Sequence, residues 1–186
     1  MRKLTVFNFT TLNGYFKGPD GDTSWHAHDE EGSKYAEDAL HADGILLFGR
    51  TTYEMMAGFW PTENARQMMP EVAEGMNKSE KIVFSRTLKK ATWENTRIIS
   101  DDIIEEVRKI KNTPGKDMAI LGSGSIITQF AEHGLIDEFQ LMIDPLLIGS
   151  GTSFCQGLNH LVELKLTKTN TFKSGRILAC YAPVSK

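Results

Sequence analysis

The chain has 186 residues, of which 40% are hydrophobic and 24% are charged. These fractions lie close to the globular average and exclude a disordered or fibrous chain. Lysine and arginine number 21 against 24 aspartates and glutamates, a formal net charge of −3. So mild an acidity favours neither a nucleic acid nor a membrane as a partner. The length predicts one domain over residues 1–186.

Cysteine use and hydropathy indicate the compartment. Cys155 and Cys180 belong to no CxxC pair, so they build neither a disulfide framework nor a four-ligand zinc site, which favours reducing conditions. The N-terminal apolar run is interrupted at Thr5 and Asn8 and is too short for a secretory leader. No window approaches the ~20 apolar residues that cross a bilayer. We therefore expect a cytoplasmic protein.

Apolar segments alternate between strand and helix character along most of the chain. Strands are predicted at 4–9, 44–49, 81–85, 118–121 and 139–143. Helices are predicted at 33–41, 50–59, 62–78 with a break at Pro70, 101–111 with Ser100 as its cap, and 125–133.

The hydrophobic pattern changes near the C-terminus. Val162, Leu164 and Leu166 alternate with polar residues, and a second strand at 177–181 follows a turn. This pattern predicts an antiparallel hairpin with one solvated face. The segments together predict an α/β fold with a mostly parallel central sheet and an antiparallel C-terminal hairpin.

The first strand-to-helix junction suited to an anion is Gly49-Arg50-Thr51-Thr52. Glycine permits a tight turn, a helix start exposes unpaired backbone N–H groups, and Arg50 adds a charged guanidinium with several hydrogen-bond donors. A phosphate there would meet both the backbone dipoles and the guanidinium. The alternative is that Gly49 is only a turn and Thr51 only a helix cap.

The second such junction is Gly122-Ser123-Gly124-Ser125. Its glycines allow a ligand close to the backbone, and its serines bring hydroxyls to a helix start. Ile127 stands where a GxGxxG dinucleotide fingerprint needs its third glycine, and the spacing of a GxSxG nucleophile elbow is absent. The alternative is a plain glycine-rich turn.

The third junction carries Ser85 and Arg86, which suit a second, terminal phosphate; the alternative for Arg86 is a solvated surface arginine. In an open α/β sheet the carboxyl ends of the strands share one edge, so the three loops can converge on one crevice. A ligand with a pyrophosphate and a separate phosphomonoester would use all three.

In this order, the motifs TLNGY (11–15), LFGRTTYE (47–54), IVFSR (82–86) and LGSGS (121–125) resemble the dihydrofolate reductase-like superfamily. The closer likeness is to the RibD C-terminal type, the reductase domain of riboflavin biosynthesis, which also shares DPLLIGSG (144–151) and Phe154. The resemblance covers essentially the whole chain. It implies a three-layer dihydrofolate reductase-like fold.

The resemblance also implies NADPH as cofactor. Arg50, with Ser85 and Arg86, is expected around the adenosine 2′-phosphate, and the first strand's end along the nicotinamide. The implied cofactor-binding residues are Thr10, Leu12, Gly49, Arg50, Thr51, Thr52, Ser85, Arg86, Gly122, Ser123, Gly124 and Ser125. The substrate is expected between the first strand and the helix after Trp25.

The chain departs from the family pattern at several positions. Asn13 replaces the aspartate of the family's Ser-Leu-Asp-Gly, and Phe7 and Asn8 stand where riboflavin-pathway members tend to carry a lysine. Those changes weaken the case for a ribosyl-phosphate substrate. The H-x-E and P-C-x-x-C motifs of the deaminase domain are absent.

Asp29 and Glu30 are the candidate proton source, because they follow Trp25 closely. A carboxyl beside an indole in a partly closed pocket would have its pKa raised by desolvation, which suits a general acid. The alternative is an acidic, solvated helix start. His26 and His28 invite a metal interpretation, but no third ligand is evident, so we expect solvated loop histidines and no metal.

The sequence thus predicts an NADPH-dependent oxidoreductase acting on a small heterocyclic, pterin- or pyrimidine-like molecule. One alternative is a non-catalytic NADP(H)- or other nucleotide-binding module, and another is a flavin in the same crevice. The hairpin leaves a sheet edge that needs cover, and the family resemblance implies dimers. We therefore expect a homodimer, with neither nucleic acid nor membrane as a partner.

Overall fold

The computed structural model describes residues 1–26, 31, 34–35 and 44–184. Its strands are β1 (Leu4–Thr11), β2 (Tyr15–Lys17), β3 (Ile45–Gly49), β4 (Lys81–Phe84), β5 (Thr96–Ile99), β6 (Met118–Leu121), β7 (Glu138–Asp144), β8 (Thr152–Ser153), β9 (Leu164–Thr171) and β10 (Ile177–Pro183). Its helices are α1 (Arg50–Phe59), α2 (Glu63–Met68), α3 (Pro70–Lys78), α4 (Ile103–Asn112) and α5 (Gly124–Glu132). None of the helices described is both long and apolar enough for a transmembrane span.

Within the described ranges, the main sheet has eight strands in the order β5-β4-β3-β6-β1-β7-β10-β9. Every neighbouring pair from β5 to β7 is parallel. β10 is antiparallel to both β7 and β9. A separate antiparallel pair joins β2 to β8. The predicted α/β fold, with a mostly parallel sheet and an antiparallel C-terminal hairpin, is confirmed.

Helices cover both faces of the sheet and give it three layers. Successive residues of β3 point to opposite faces: Ile45 and Leu47 join the apolar cluster that includes α4 and α5. Leu46 and Phe48 join a second cluster that includes α1 and α3. A strand buried on both sides needs an apolar run without alternation, which is what β3 and residues 82–84 of β4 carry.

The helices follow the sequence pattern except at one cap. The predicted break at Pro70 is confirmed, because α2 ends at Met68 and α3 begins at the proline. The prediction that Ser100 caps the next helix is wrong. Its hydroxyl donates to Asp101 Oδ2 at 2.7 Å, and α4 follows Asp102, whose φ is 47°. The helix predicted at 33–41 lies largely outside the described residues.

The C-terminal hairpin has the predicted strands but not the predicted burial. All eight residues of β9 are exposed. Leu164 and Leu166, expected to face inward, keep 42% and 50% of their surface exposed. The reason is topological, because among the strands that the structure describes β9 is the last of the sheet and pairs only with β10.

Candidate functional site

The strand order reverses direction between β3 and β6. The chain leaves β3 through α1 to reach β4 on one side, whereas it leaves β6 through α5 to reach β7 on the other. Because α1 packs on one face and α5 on the opposite face, a crevice is expected at the carboxyl ends of β3 and β6. Such a switch point is the usual ligand site of an open α/β sheet.

Two hydrogen bonds join the helix starts on either side of this crevice. The Gly49 N–H donates to Ser123 Oγ at 2.9 Å, and the Ser123 N–H donates to Thr52 Oγ1 at 3.1 Å. The approach is close, since a Cβ on Gly122 would lie 3.1 Å from Thr52 Cγ2. The structure therefore brings the first and second predicted junctions together.

Both helix starts lack a side-chain cap. Gly49 precedes α1 with no side chain to donate or accept. Ser123 precedes α5 at φ 59°, but its hydroxyl accepts from Gly49 and donates to the Leu121 carbonyl at 3.2 Å. Since the first N–H groups of a helix have no intrahelical acceptor, the starts of α1 and α5 offer donors to an anion. Thr51 and Ser125 are exposed beside them.

Arg50 connects the first junction to the third. Its Nε donates to Glu54 Oε1 at 2.8 Å, and its Nη1 donates to Thr87 Oγ1 at 2.7 Å. Ser85 Oγ accepts from the Thr87 N–H at 3.2 Å, so it shapes the loop that holds the arginine. Arg86 is exposed on that loop. The Arg50 side chain keeps 46% of its surface exposed and remains accessible.

Thr87 and Glu54 are members of this site that sequence reasoning missed. Both are polar residues at exposed positions, a pattern shared by most of the surface. The sequence spacing could have indicated Glu54, because it lies four positions after Arg50 and such pairs meet on a helix. No sequence spacing could have indicated Thr87, since its contact with Arg50 depends on how two separate loops meet.

The end of β1 lies two strands away from β3. Thr10 is 3% exposed, whereas Leu12, at the following turn, is 65% exposed. The Leu12 N–H donates to the Leu146 carbonyl at 2.9 Å.

Asn13 joins the turn after β1 to the loop after β7. Its Nδ2 donates to the Ile148 carbonyl at 2.8 Å, and its Oδ1 accepts from the Ile148 N–H at 3.3 Å and from Thr11 Oγ1 at 2.8 Å. An aspartate cannot donate to that carbonyl. The departure of Asn13 from the family pattern thus has a structural role.

Half-buried aromatic rings line the face of β1 that carries Phe7 and Phe9. The Phe9 and His26 rings lie 4.8 Å apart between centroids, and those of His26 and Trp25 lie 4.1 Å apart. The expectation of a solvated His26 is therefore wrong, because the ring packs between two others. Asp29, Glu30 and His28 fall outside the described residues.

Tyr35 closes the other end of this aromatic group. Its ring centroid lies 5.8 Å from that of Phe7, and its hydroxyl donates to Gln140 Oε1 at 2.9 Å. Burial raises the pKa of Tyr35 to about 12, so the phenol stays protonated. In the described ranges, no three His, Cys, Asp or Glu side chains are grouped to hold a metal ion.

Comparison with known proteins gives a consistent picture. The RibD C-terminal domain family matches residues 2–178. YyaP of Bacillus subtilis, an uncharacterised protein, is 32% identical over 181 residues, covering 97% of this chain and 94% of YyaP.

Solved structures share the fold. The deaminase/5-amino-6-(5-phosphoribosylamino)uracil reductase of Thermotoga maritima superposes with a TM-score of 0.69 at 16% identity, over 98% of this chain and 57% of that one. The dihydrofolate reductase of Enterococcus faecalis, solved with NADP(H), superposes with a TM-score of 0.67 at 15% identity, over 98% and 97% of the two chains.

Proposed function

Because the chain belongs to the RibD C-terminal domain family, we propose that it is an NADPH-dependent reductase of a small heterocyclic, pterin- or pyrimidine-like molecule. One observation carries the proposal: the uncapped starts of α1 and α5 are bonded together at the switch point, with Arg50 held beside them. A dinucleotide with an extra phosphate matches that arrangement of donors.

The residues present fit such a cofactor. The exposed N–H groups at the starts of α1 and α5 would hold the pyrophosphate, near Thr51, Gly124 and Ser125. Arg50, fixed by Thr87 and flanked by Ser85 and Arg86, would hold the 2′-phosphate. Thr10 and Leu12 would lie along the nicotinamide. Thr52 and Ser123 would act indirectly, by keeping the two helix starts together.

When bound, the cofactor supplies the hydride. The chain's own residues bind it, keep water away and provide a proton. Asp29 and Glu30 stay our candidates for the proton, and the aromatic face of β1 is our candidate for the substrate side.

We also propose that two copies of the chain associate through the hairpin edge. No other described strand pairs with the outer edge of β9, which also carries exposed Leu164 and Leu166, and such edges are covered in stable proteins. Light scattering should give a mass of two chains for the wild type and of one chain for Leu166→Lys. A wild-type mass of one chain refutes the association.

Fluorescence titration with NADPH and NADH tests the cofactor. Arg50→Ala should weaken NADPH binding far more than NADH binding, because only NADPH carries the 2′-phosphate. The matched control is Arg108→Ala, since Arg108 is also a half-exposed arginine paired within its helix, to Glu105 of α4. Equal losses for the two nucleotides refute the assignment. Tight NADPH binding without oxidation by any substrate of a panel would instead favour the non-catalytic module.

A further inference from the structure

The loop after β4, residues 85–93, is held in place mainly by side chains. Among the described residues, backbone–backbone hydrogen bonds reach this loop only at its first residue, where the Ser85 N–H donates to the Ile99 carbonyl at 3.0 Å. The N–H groups of Thr87 and Leu88 donate instead to Ser85 Oγ, at 3.2 Å and 3.0 Å. The position of the loop therefore depends on a small number of side-chain acceptors.

Tyr53 of α1 holds the second half of the loop. The N–H groups of Thr92 and Trp93 both donate to the Tyr53 hydroxyl oxygen at 3.0 Å. Tyr53 is 1% exposed and Trp93 is 4% exposed. Because a buried N–H that loses its acceptor is costly, this one oxygen fixes two consecutive backbone positions of the loop.

The Trp93 side chain anchors the same end of the loop to the core. Its ring centroid lies 6.3 Å from that of Tyr53 and 6.1 Å from that of Phe48. Its Nε1 donates to Asn77 Oδ1 at 2.7 Å. The end of the loop that Tyr53 holds is thus packed on the apolar cluster beneath α1.

The same helix also holds the first half of the loop. Arg50 precedes Tyr53 by three positions, and its Nη1 donates to Thr87 Oγ1 at 2.7 Å. Residues three apart are neighbours on a helix surface, so one side of α1 fastens the loop at two points. The Arg50 side chain is 46% exposed, and a long exposed side chain keeps much of its rotamer freedom. The buried contact with Tyr53 is therefore the one that sets the position of the loop.

We propose that Tyr53 is a positioning residue through which the site selects a nucleotide that carries a 2′-phosphate. Its hydroxyl fixes residues 85–93 against α1 and so keeps Ser85 and Arg86 beside Arg50. At 1% exposure the side chain is closed to a nucleotide and acts through the loop. This inference rests on the proposed function, because it names what makes the same site prefer NADPH to NADH.

Fluorescence titration of Tyr53→Phe with NADPH and NADH tests the proposal. Phenylalanine keeps the ring but leaves two N–H groups without their acceptor. NADPH affinity should fall roughly three- to tenfold, whereas NADH affinity should change by less than about twofold, because NADH has no 2′-phosphate for the loop to hold. Equal losses for the two nucleotides overturn the proposal, and so does an unchanged NADPH affinity.

Val107→Ala is the control for a loss of stability alone. Val107 is 0% exposed in the apolar cluster on the opposite face of the sheet, so removing its methyl groups lowers stability without touching the loop. Both nucleotide affinities of this variant should match those of the wild type. A fall in its preference for NADPH overturns the proposal, since reduced stability would then account for the effect of Tyr53→Phe.

Hydrogen exchange of the wild type gives a second test that needs no variant, and it decides if circular dichroism shows that Tyr53→Phe is unfolded. With the site filled, the amides of Thr92 and Trp93 should exchange at least about threefold more slowly in NADPH than in NADH, because the 2′-phosphate holds the loop that they anchor. Equal exchange rates with the two nucleotides overturn the proposal.

The wild-type titration separates this inference from the proposed function. If the wild type prefers NADPH and Tyr53→Phe keeps that preference, the role of Tyr53 is wrong and the cofactor assignment stands. If the wild type binds neither nucleotide, or binds both alike, the cofactor assignment fails and this inference fails with it.

Discussion

The Gly49 N–H and the Ser123 hydroxyl meet at 2.9 Å across 74 positions of sequence. This contact, with the return bond from the Ser123 N–H to Thr52, sets the distance between α1 and α5 at the switch point. The spacing of the two helix starts therefore depends on Ser123, through its hydroxyl and through its backbone N–H.

Ser123→Ala should lower the free energy of unfolding by about 1–3 kcal/mol, because a partly buried N–H loses its acceptor. Ser123→Gly loses the same hydroxyl, but glycine adopts the positive φ of 59° without strain. The glycine variant should therefore be less destabilised than the alanine variant. Urea denaturation measures both. Ser125→Ala, at an exposed hydroxyl two residues later, should change stability by less than about 0.5 kcal/mol. An alanine variant at 123 as stable as the wild type would contradict this role.

Thr87 should act through the orientation of Arg50. In Thr87→Ala the guanidinium keeps Glu54 but loses the acceptor of its Nη1, so NADPH affinity should fall roughly three- to tenfold. NADH affinity should hardly change, because NADH lacks the 2′-phosphate. Nucleotide titration measures both constants, and Thr87→Ser should restore NADPH binding. A matching loss for NADH would show that Thr87 acts on the fold instead.

Asn13→Asp should loosen the loop after β7. The carboxylate still accepts from Thr11 and from the Ile148 N–H, but it faces the Ile148 carbonyl without a proton to donate. Stability should fall by about 1 kcal/mol, and hydrogen exchange should speed up at the Ile148 amide. Unchanged exchange there would mean that the Asn13 side chain does not hold this loop.

Lys81 should make stability depend on pH. Its side chain is 0% exposed, and Nζ donates to the carbonyls that end α3, those of Met76, Asn77 and Ser79. Burial lowers the pKa of Lys81 to about 8, against the ordinary 10.5. Between these two values the unfolded chain binds more protons than the folded protein, so the stability from this residue rises with pH.

Urea denaturation of the wild type and Lys81→Met from about pH 7 to about pH 10 tests this window. The stability of the wild type relative to the variant should rise above about pH 8, and taking the difference cancels groups that titrate in both. Glu94 is the charged neighbour that opposes the effect, since it raises the pKa of Lys81. A constant or falling difference would refute the direction.

The parts of the fold that come from local pattern were predictable. The apolar runs placed β3, β4, β6 and β7, and the glycines at 49 and 122 marked the turns that follow two of them. β5 was not predicted, because Thr96–Ile99 is short and begins with polar residues. β2 and β8 were not predicted, because they are too short to show a hydrophobic period.

The parts that come from long-range contacts were not predictable. Alternation in 162–166 predicts that one face of β9 is covered, but coverage depends on which strand ends the sheet. Likewise, Arg50 was identified from its position at a helix start, whereas its contact with Thr87 required the meeting of two loops. The type of a side chain and the local hydrophobic period can be read from neighbouring residues. Contacts between residues far apart in the sequence cannot.

On the face that carries α1, the apolar residues that the structure describes form two clusters with no member in common. Phe7, Phe9 and Tyr35 pack against residues of β7 and β10 in the first cluster. The residues that pack beneath α1 belong to the second. Substitutions in the first cluster and in the second should therefore add in their effects on stability, as expected of sites that share no contact.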